Sequence, residues 1–389
     1  MEKQKQNFLR ILGAYVNNTP VILNEPDFKE IFKLAKINSL EAIVYSTLKQ
    51  NKITPEDMDI KRLEVTFNTT VAYSIKQEYV AKELIKLLND NEIRHIIFKG
   101  YVIKHLYKDP ELRTMGDIDI CIDSSNQEIV KKILVNNGFT YDEINSHAKV
   151  WNYKKGNVLF ELHSALFENN LFEAVSLREY YTNPFILAIN ESQMTFVFTK
   201  ENHLIYMLLH MAKHFKNGGC GIRMLLDIVV YTKTNPKMDY VYLEKELKKL
   251  KIYDFYKDML DIAELLFVTD SSSPNIKEEW SEIVEYMIDG GVFGYEGKNI
   301  DAIRTSKNTK VQVSVLRLIF PSYKDITTRY NWANKYPRFL LPICWIKMWF
   351  YRLFVVKENS FKRVIDMAKS SNDVVTHRKM LEIVGLHKE

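Results

Sequence analysis

Asp117 and Asp119 stand two residues apart in Arg113-Thr114-Met115-Gly116-Asp117-Ile118-Asp119-Ile120, a short distance after Phe98-Lys99-Gly100. A strand has a period of two, so both carboxylates project from one face while Ile118 and Ile120 turn into the core. Like charges held side by side repel, and a divalent cation resolves that conflict; hard oxygen ligands suit Mg2+ or Mn2+. Gly100, at a turn into a short helix, offers backbone N–H groups to a bound phosphate. Lys99 and Arg113 add a point charge and a planar fork that match phosphate oxygens. The alternative leaves Lys99 in solvent and pairs Arg113 with Asp117 or Glu111. Metal together with phosphate is the chemistry of a nucleotide.

A two-cation site needs a third carboxylate, and Glu161 is the best candidate. In Val158-Leu159-Phe160-Glu161-Leu162-His163, Phe160 and Leu162 face the core while Glu161 and His163 share the opposite face. Asp117, Asp119 and Glu161 would then hold two cations that align a hydroxyl with the α-phosphate of a nucleoside triphosphate and stabilise leaving pyrophosphate. Glu161 or Asp119 is the candidate acceptor of the hydroxyl proton. The competing reading puts Asp117 and Asp119 on the solvated face of an edge strand. His203, His210 and His214 follow at spacings of seven and four, on one helical face. They read as a semi-buried packing stripe, as a wall of an acceptor pocket shared by His163, His210 and His214, or as a zinc site that no cysteine motif supports. Arg223 and Asp227 read as an i, i+4 ion pair on a helix surface.

The elements that must position these residues are legible from periodicity. Apolar residues at helical spacing run from Phe8 to about Leu88, with a long helix expected over Lys61 to Asn89. A short buried strand is expected at His95 to Phe98, a short helix at Tyr101 to Tyr107, and a second strand at Asp117 to Ile122. A helix over Gln127 to Asn136 ends at Asn137-Gly138, a favoured C-terminal cap. Two strands near Lys149 to Tyr153 and Val158 to His163 flank the turn Lys154-Lys155-Gly156-Asn157. Past Lys200 the helical period resumes, and Ser271-Ser272-Ser273-Pro274 reads as a linker. The expected fold is α+β: a helical segment over 1–90, an α/β core with a small mixed sheet over 91–200, and a helical region over 201–389.

Composition narrows the class further. Hydrophobic residues at 46% and charged residues at 26% describe a soluble globular chain rather than a disordered one. A net charge of +5, dispersed along the chain, does not announce nucleic-acid binding, and no nucleic-acid-binding motif stands out. Cys121, Cys220 and Cys344 form no C-x-x-C pair, and the N-terminus is a poor signal peptide, so a reducing cytoplasm is the expected setting. Arg338 to Val356 carries Phe339, Trp345, Trp349, Phe350, Tyr351 and Phe354, interrupted by Pro342, Lys347 and Arg352. It is too broken to span a membrane and reads as a packing helix or an interfacial, weakly membrane-contacting one.

The segment IIFKGYVIKHLYKDPELRTMGDIDICID resembles the polymerase-β-like nucleotidyltransferase superfamily, in particular a bacterial branch of uncharacterised nucleotidyltransferases with K-G followed by L-R-x-M-G-D-I-D. FELHSALF, ENHLIYMLLHMAKHF and GIRMLLDIVVY resemble later segments of that branch. The resemblance is dense from about Ile96 to Tyr231. It implies metal-dependent transfer of a nucleoside monophosphate from an NTP to a hydroxyl or phosphate on a small molecule, a sugar or polysaccharide precursor, or a protein. It also implies that Asp117, Asp119 and Glu161 are the metal carboxylates and that Gly100 lies in the phosphate-binding turn. Many superfamily members carry Gly-Ser or Gly-Gly there; Tyr101 follows Gly100 here, so Lys99, Arg113 or backbone amides must hold the triphosphate. Two other classes compete: a catalytically inactive binding module that kept the fold, and a peripheral membrane accessory protein of a surface-glycan pathway.

Overall fold

The apolar spacing of the N-terminal region forms helices α1 (Lys3–Asn17), α2 (Phe28–Ile37), α3 (Glu41–Gln50) and the long α4 (Ile60–Asp90). Asp27 and Asp59 cap α2 and α4, their carboxylates accepting from the backbone N–H groups of Glu30 and Arg62. Each satisfies a donor that a first helical turn leaves unpaired. The computed structural model describes residues 1–56, 58–147, 149–167, 171, 175–267, 277–292, 320–351 and 379–386. The Ser271–Pro274 linker and the Arg352–Val356 end of the aromatic segment lie outside them.

An α+β fold is observed, mostly helical around one mixed seven-stranded sheet. Its strands are β1 (His95–Ile97), β2 (Asp117–Ile122), β3 (Thr140–Asp142), β4 (Val150–Lys155), β5 (Val158–His163), β6 (Ala188–Ser192) and β7 (Thr195–Phe198). The order across the sheet is β3-β4-β5-β2-β1-β7-β6. β2 runs parallel to β5 and antiparallel to β1, and β1 runs parallel to β7. The β6–β7 hairpin is absent from the sequence reading, although Thr195-Phe196-Val197-Phe198 has the β-branched and aromatic content of a strand. The expected helix at Tyr101–Tyr107 is shorter and starts earlier, as α5 (Gly100–Lys104).

The two faces of the sheet have different fates. Ile118, Ile120 and Ile122 of β2 and Phe160 and Leu162 of β5 are fully buried with Val80, Ala81, Leu84 and Leu88 of α4. Val130 and Leu134 of α6 (Gln127–Asn136) join that core. The opposite face carries Asp117, Asp119, Cys121, Glu161 and His163, and helices α8 (Lys200–Gly218) and α9 (Ile222–Thr234) lie on that side. A larger apolar core joins α1–α3 to α7 (Leu177–Tyr180), α8, α9, α10 (Tyr240–Lys249) and α11 (Tyr253–Phe267). One face of the sheet thus supplies rigidity and the other supplies chemistry.

The helix Leu341–Phe350 buries Cys344 and Met348, and its Trp345 indole N–H donates to the Pro321 carbonyl, 2.8 Å away. Phe339, Ile346 and Phe350 are exposed. Among the described residues, no helix is long and apolar enough to cross a membrane.

Phe160 stacks edge-on against Phe139 and has no exposed surface. Phe160→Ala is expected to destabilise the fold by about 3–5 kcal/mol, because the cavity it leaves cannot refill. Urea denaturation measures this as a lower midpoint at unchanged slope.

Candidate active site

The parallel register sets Asp119 of β2 directly against Glu161 of β5, with Asp117 against Leu159 and Cys121 against His163. Side chains on adjacent strands at matched positions share a face, so both carboxylates emerge together. Asp119 Oδ1 lies 2.5 Å from Lys99 Nζ and 2.8 Å from His163 Nε2, which is also 3.4 Å from Glu161 Oε2. Asp119, Glu161 and His163 each offer a ligand atom, all within 4.8 Å of one another. The structure thus brings Asp117, Asp119, Glu161 and Lys99 to one place, and it puts His163 inside the carboxylate cluster.

Charge within the cluster is unevenly balanced. Burial, then the neighbouring Asp119 and Glu161 carboxylates, push Asp117 up to about 6. Burial opposes ionisation of Asp119 too, but Lys99 and His163 outweigh it and hold that carboxyl down to about 2. The same contacts act in reverse: against the cost of burial, Asp119 raises Lys99, and Asp119 with Glu161 raises His163. Asp117 therefore carries the unrelieved part of the negative charge. Such a donor set, three carboxylates with one under electrostatic pressure and an imidazole beside them, fits a hard divalent cation.

Lys99 sits in a conformation that L-residues rarely adopt, with φ 55° and ψ −134°. Its backbone N–H donates to His203 Nε2, 3.1 Å away on α8. Burial pulls His203 down to about 4, which keeps its imidazole neutral and able to accept that bond. A strained residue held by a buried partner at a polar cleft is how folds fix a functional turn. Gly100 earns its identity by packing: a Cβ there would lie 2.8 Å from Arg113 Nη1 and 3.3 Å from Met115 Sδ. Tyr101, which replaces the small residue of related motifs, turns away to Glu78 of α4 with a 3.0 Å hydrogen bond.

Arg113 lines the cleft, with its donors committed to a buried carboxylate. Its Nε and Nη2 donate to Asp227 at 3.0 and 2.8 Å, and the Tyr107 hydroxyl donates to the same carboxylate at 2.7 Å. Arg113 is 6% exposed and Asp227 5% exposed. This corrects the reading of Arg223 and Asp227 as a surface pair. Asp227 faces inward, and the i, i+4 spacing loses to a bidentate fork in a dry environment. Arg223 Nη1 instead donates to Thr114 Oγ1 at 2.9 Å and, more weakly, to the Thr114 carbonyl at 3.3 Å.

These groups line a cavity of about 740 Å³ together with Tyr206, Met207, His210 and His214. His210 and His214 turn Nε2 toward Nε2 at 3.0 Å. Burial, then nearby Lys213 and Lys99, hold His214 at about 4, and burial holds His210 low, so the pair shares a hydrogen bond as neutral rings. Sequence reasoning missed His203 as the holder of Lys99 and Asp227 as the partner of Arg113. The signal for Asp227 was present: one carboxylate inside Leu225-Leu226-Asp227-Ile228-Val229 is a buried, paired charge.

Asp227→Ala is expected to cost about 3–5 kcal/mol, since it strands the Arg113 guanidinium without its counter-charge. Asp227→Ala combined with Arg113→Met should recover much of that loss, read by urea denaturation of both variants.

A search of curated proteins finds no match to this chain. The model of the family described as "Uncharacterised nucleotidyltransferase" matches residues 24–268, more than half of the chain and all of the sheet. The chain therefore belongs to that uncharacterised nucleotidyltransferase family.

Proposed function

We propose that the protein is a metal-dependent nucleotidyltransferase, moving a nucleoside monophosphate from an NTP to a hydroxyl or phosphate on an acceptor and releasing pyrophosphate. The observation that carries this reading is the facing of Asp119 and Glu161 across parallel strands, with Asp117 two residues away and raised by both. Asp117, Asp119 and Glu161 would hold Mg2+ or Mn2+, with His163 bracing Asp119 and Glu161 from behind. A divalent cation bound there supplies charge neutralisation at the α-phosphate and at the leaving pyrophosphate.

The chain's own groups do the rest. Lys99 keeps Asp119 ionised, and Asp119 would be shared between Lys99 and a divalent cation held by the cluster. Glu161, with its side chain about one third exposed, accepts the proton of the incoming hydroxyl. His210 and His214, neutral and lining the cavity, offer a donor and an acceptor to orient the acceptor molecule. The 740 Å³ cavity is roomy enough for a nucleotide or for an acceptor of comparable size. Arg113 acts at one remove, filling the space above Gly100 and fixing the approach to the cleft.

The competing reading, an inactive binding module, predicts no metal-dependent nucleotide binding. Isothermal calorimetry with each NTP and Mg2+ separates the two. Wild type is expected to bind at least one NTP in a metal-dependent way. Asp117→Asn with Asp119→Asn should weaken that binding by roughly a hundred-fold and lower the melting temperature, because Asp119→Asn leaves buried Lys99 without its counter-charge; a retained native circular-dichroism spectrum shows that the variant is folded. Wild type that binds no NTP, or metal-dependent binding that survives the double substitution, contradicts the proposal.

A further inference from the structure

Arg113 and Arg223 lie close enough to repel each other, and Asp227 is the carboxylate between them. Arg113 takes both oxygens of Asp227, and Tyr107 adds a third hydrogen bond to it. Among the described residues, no carboxylate oxygen lies within salt-bridge distance of the Arg223 guanidinium, whose bonds go to Thr114 alone. Burial, then the Arg113 charge, lowers Arg223 to about 10, and the charges of Asp227 and Asp117 offset this only in part. Arg223 is part-buried only because it opens on the cavity, together with Thr114 and Gly116. Gly116 has backbone angles open to any residue, and a Cβ built there meets no atom within 4 Å. Packing therefore does not require a glycine at 116. A glycine there keeps this part of the lining of the same cavity open.

We propose that Arg223, Thr114 and the opening at Gly116 form a phosphate-binding subsite beside the carboxylates, on the side of Asp117. A phosphate there supplies the negative charge that Asp227 does not share with Arg223, and the unused guanidinium donors form the fork that suits it. The Thr114 hydroxyl, held by Arg223 and donating to the Ser39 carbonyl at 3.0 Å, fixes the near side of the guanidinium. The subsite deepens the nucleotidyl-transfer reading and rests on it for the origin of the phosphate. That phosphate belongs either to the polyphosphate of the donor or to a phosphorylated acceptor.

The test is calorimetry on the full chain with inorganic tripolyphosphate and inorganic phosphate as probes. Arg223→Gln is expected to weaken both by roughly ten- to hundred-fold, the loss for charge-assisted hydrogen bonds, while Arg223→Lys recovers part of it. Gly116→Ala should melt as wild type does and still weaken both probes, because its methyl group enters the opening. Repeating the phosphate titration with a saturating non-hydrolysable NTP analogue assigns the source. Competition supports a donor polyphosphate; continued Arg223-dependent binding supports an acceptor phosphate. Wild-type affinity in folded Arg223→Gln, or no binding of either probe to wild type, overturns the proposal. If Arg223→Gln does not fold, wild-type affinity in Gly116→Ala overturns it instead. An analogue that binds wild type and Arg223→Gln alike, with neither phosphate probe depending on Arg223, removes the subsite and leaves the nucleotidyl-transfer reading standing. Arg223-dependent phosphate binding without any NTP binding does the reverse.

Discussion

Asp119 and Glu161 are forced together by the parallel register of two neighbouring strands, and much of the site's architecture answers that one electrostatic conflict. The apolar residues between them fix the register, because a slip by one position would turn Ile118, Ile120, Phe160 and Leu162 out of the core. The fold therefore cannot relieve the repulsion by sliding. It compensates with Lys99 and His163 on Asp119, and it leaves Asp117 partly uncompensated. A cluster held in this way is suited to a cation, which supports the proposed metal site.

The cationic side of the cleft is built by equally rigid means. Asp227 on α9 draws Arg113 into a dry bidentate pair, Arg113 occupies the space that Gly100 leaves open, and α9 presents Arg223 to the cavity. From α8, His203 holds the strained Lys99 turn. Two helices following the sheet in sequence thus set the positions of Lys99, Arg113 and Arg223, while the sheet sets the carboxylates. The family match takes in the sheet and both of these helices.

Legibility in the sequence followed the range of the interactions. Strand periodicity gave the faces of Asp117, Asp119, Glu161 and His163 because alternation is local and the core residues between them are strongly apolar. The limits of α6 and β5 were readable for the same reason, from an Asn-Gly cap and a Gly-Asn turn. Contacts between distant segments were not readable. Arg113 and Asp227 are 114 residues apart, and Lys99 and His203 are 104 apart. Local spacing instead suggested an Arg223–Asp227 pair, a contact the buried fork of Arg113 outcompetes. The β6–β7 hairpin escaped notice because β6 is mostly exposed and lacks a clean alternation.

The central claim is that Asp117, Asp119 and Glu161 are a cation site for which Lys99 stands in. A crystal structure of the protein soaked with Mn2+, with anomalous scattering used to locate the ion, tests it most directly. The account predicts an anomalous peak in contact with Asp119 and Glu161, with Lys99 Nζ withdrawn from Asp119. Manganese absent from this cluster at saturating concentration, with the Lys99–Asp119 pair intact, would contradict it.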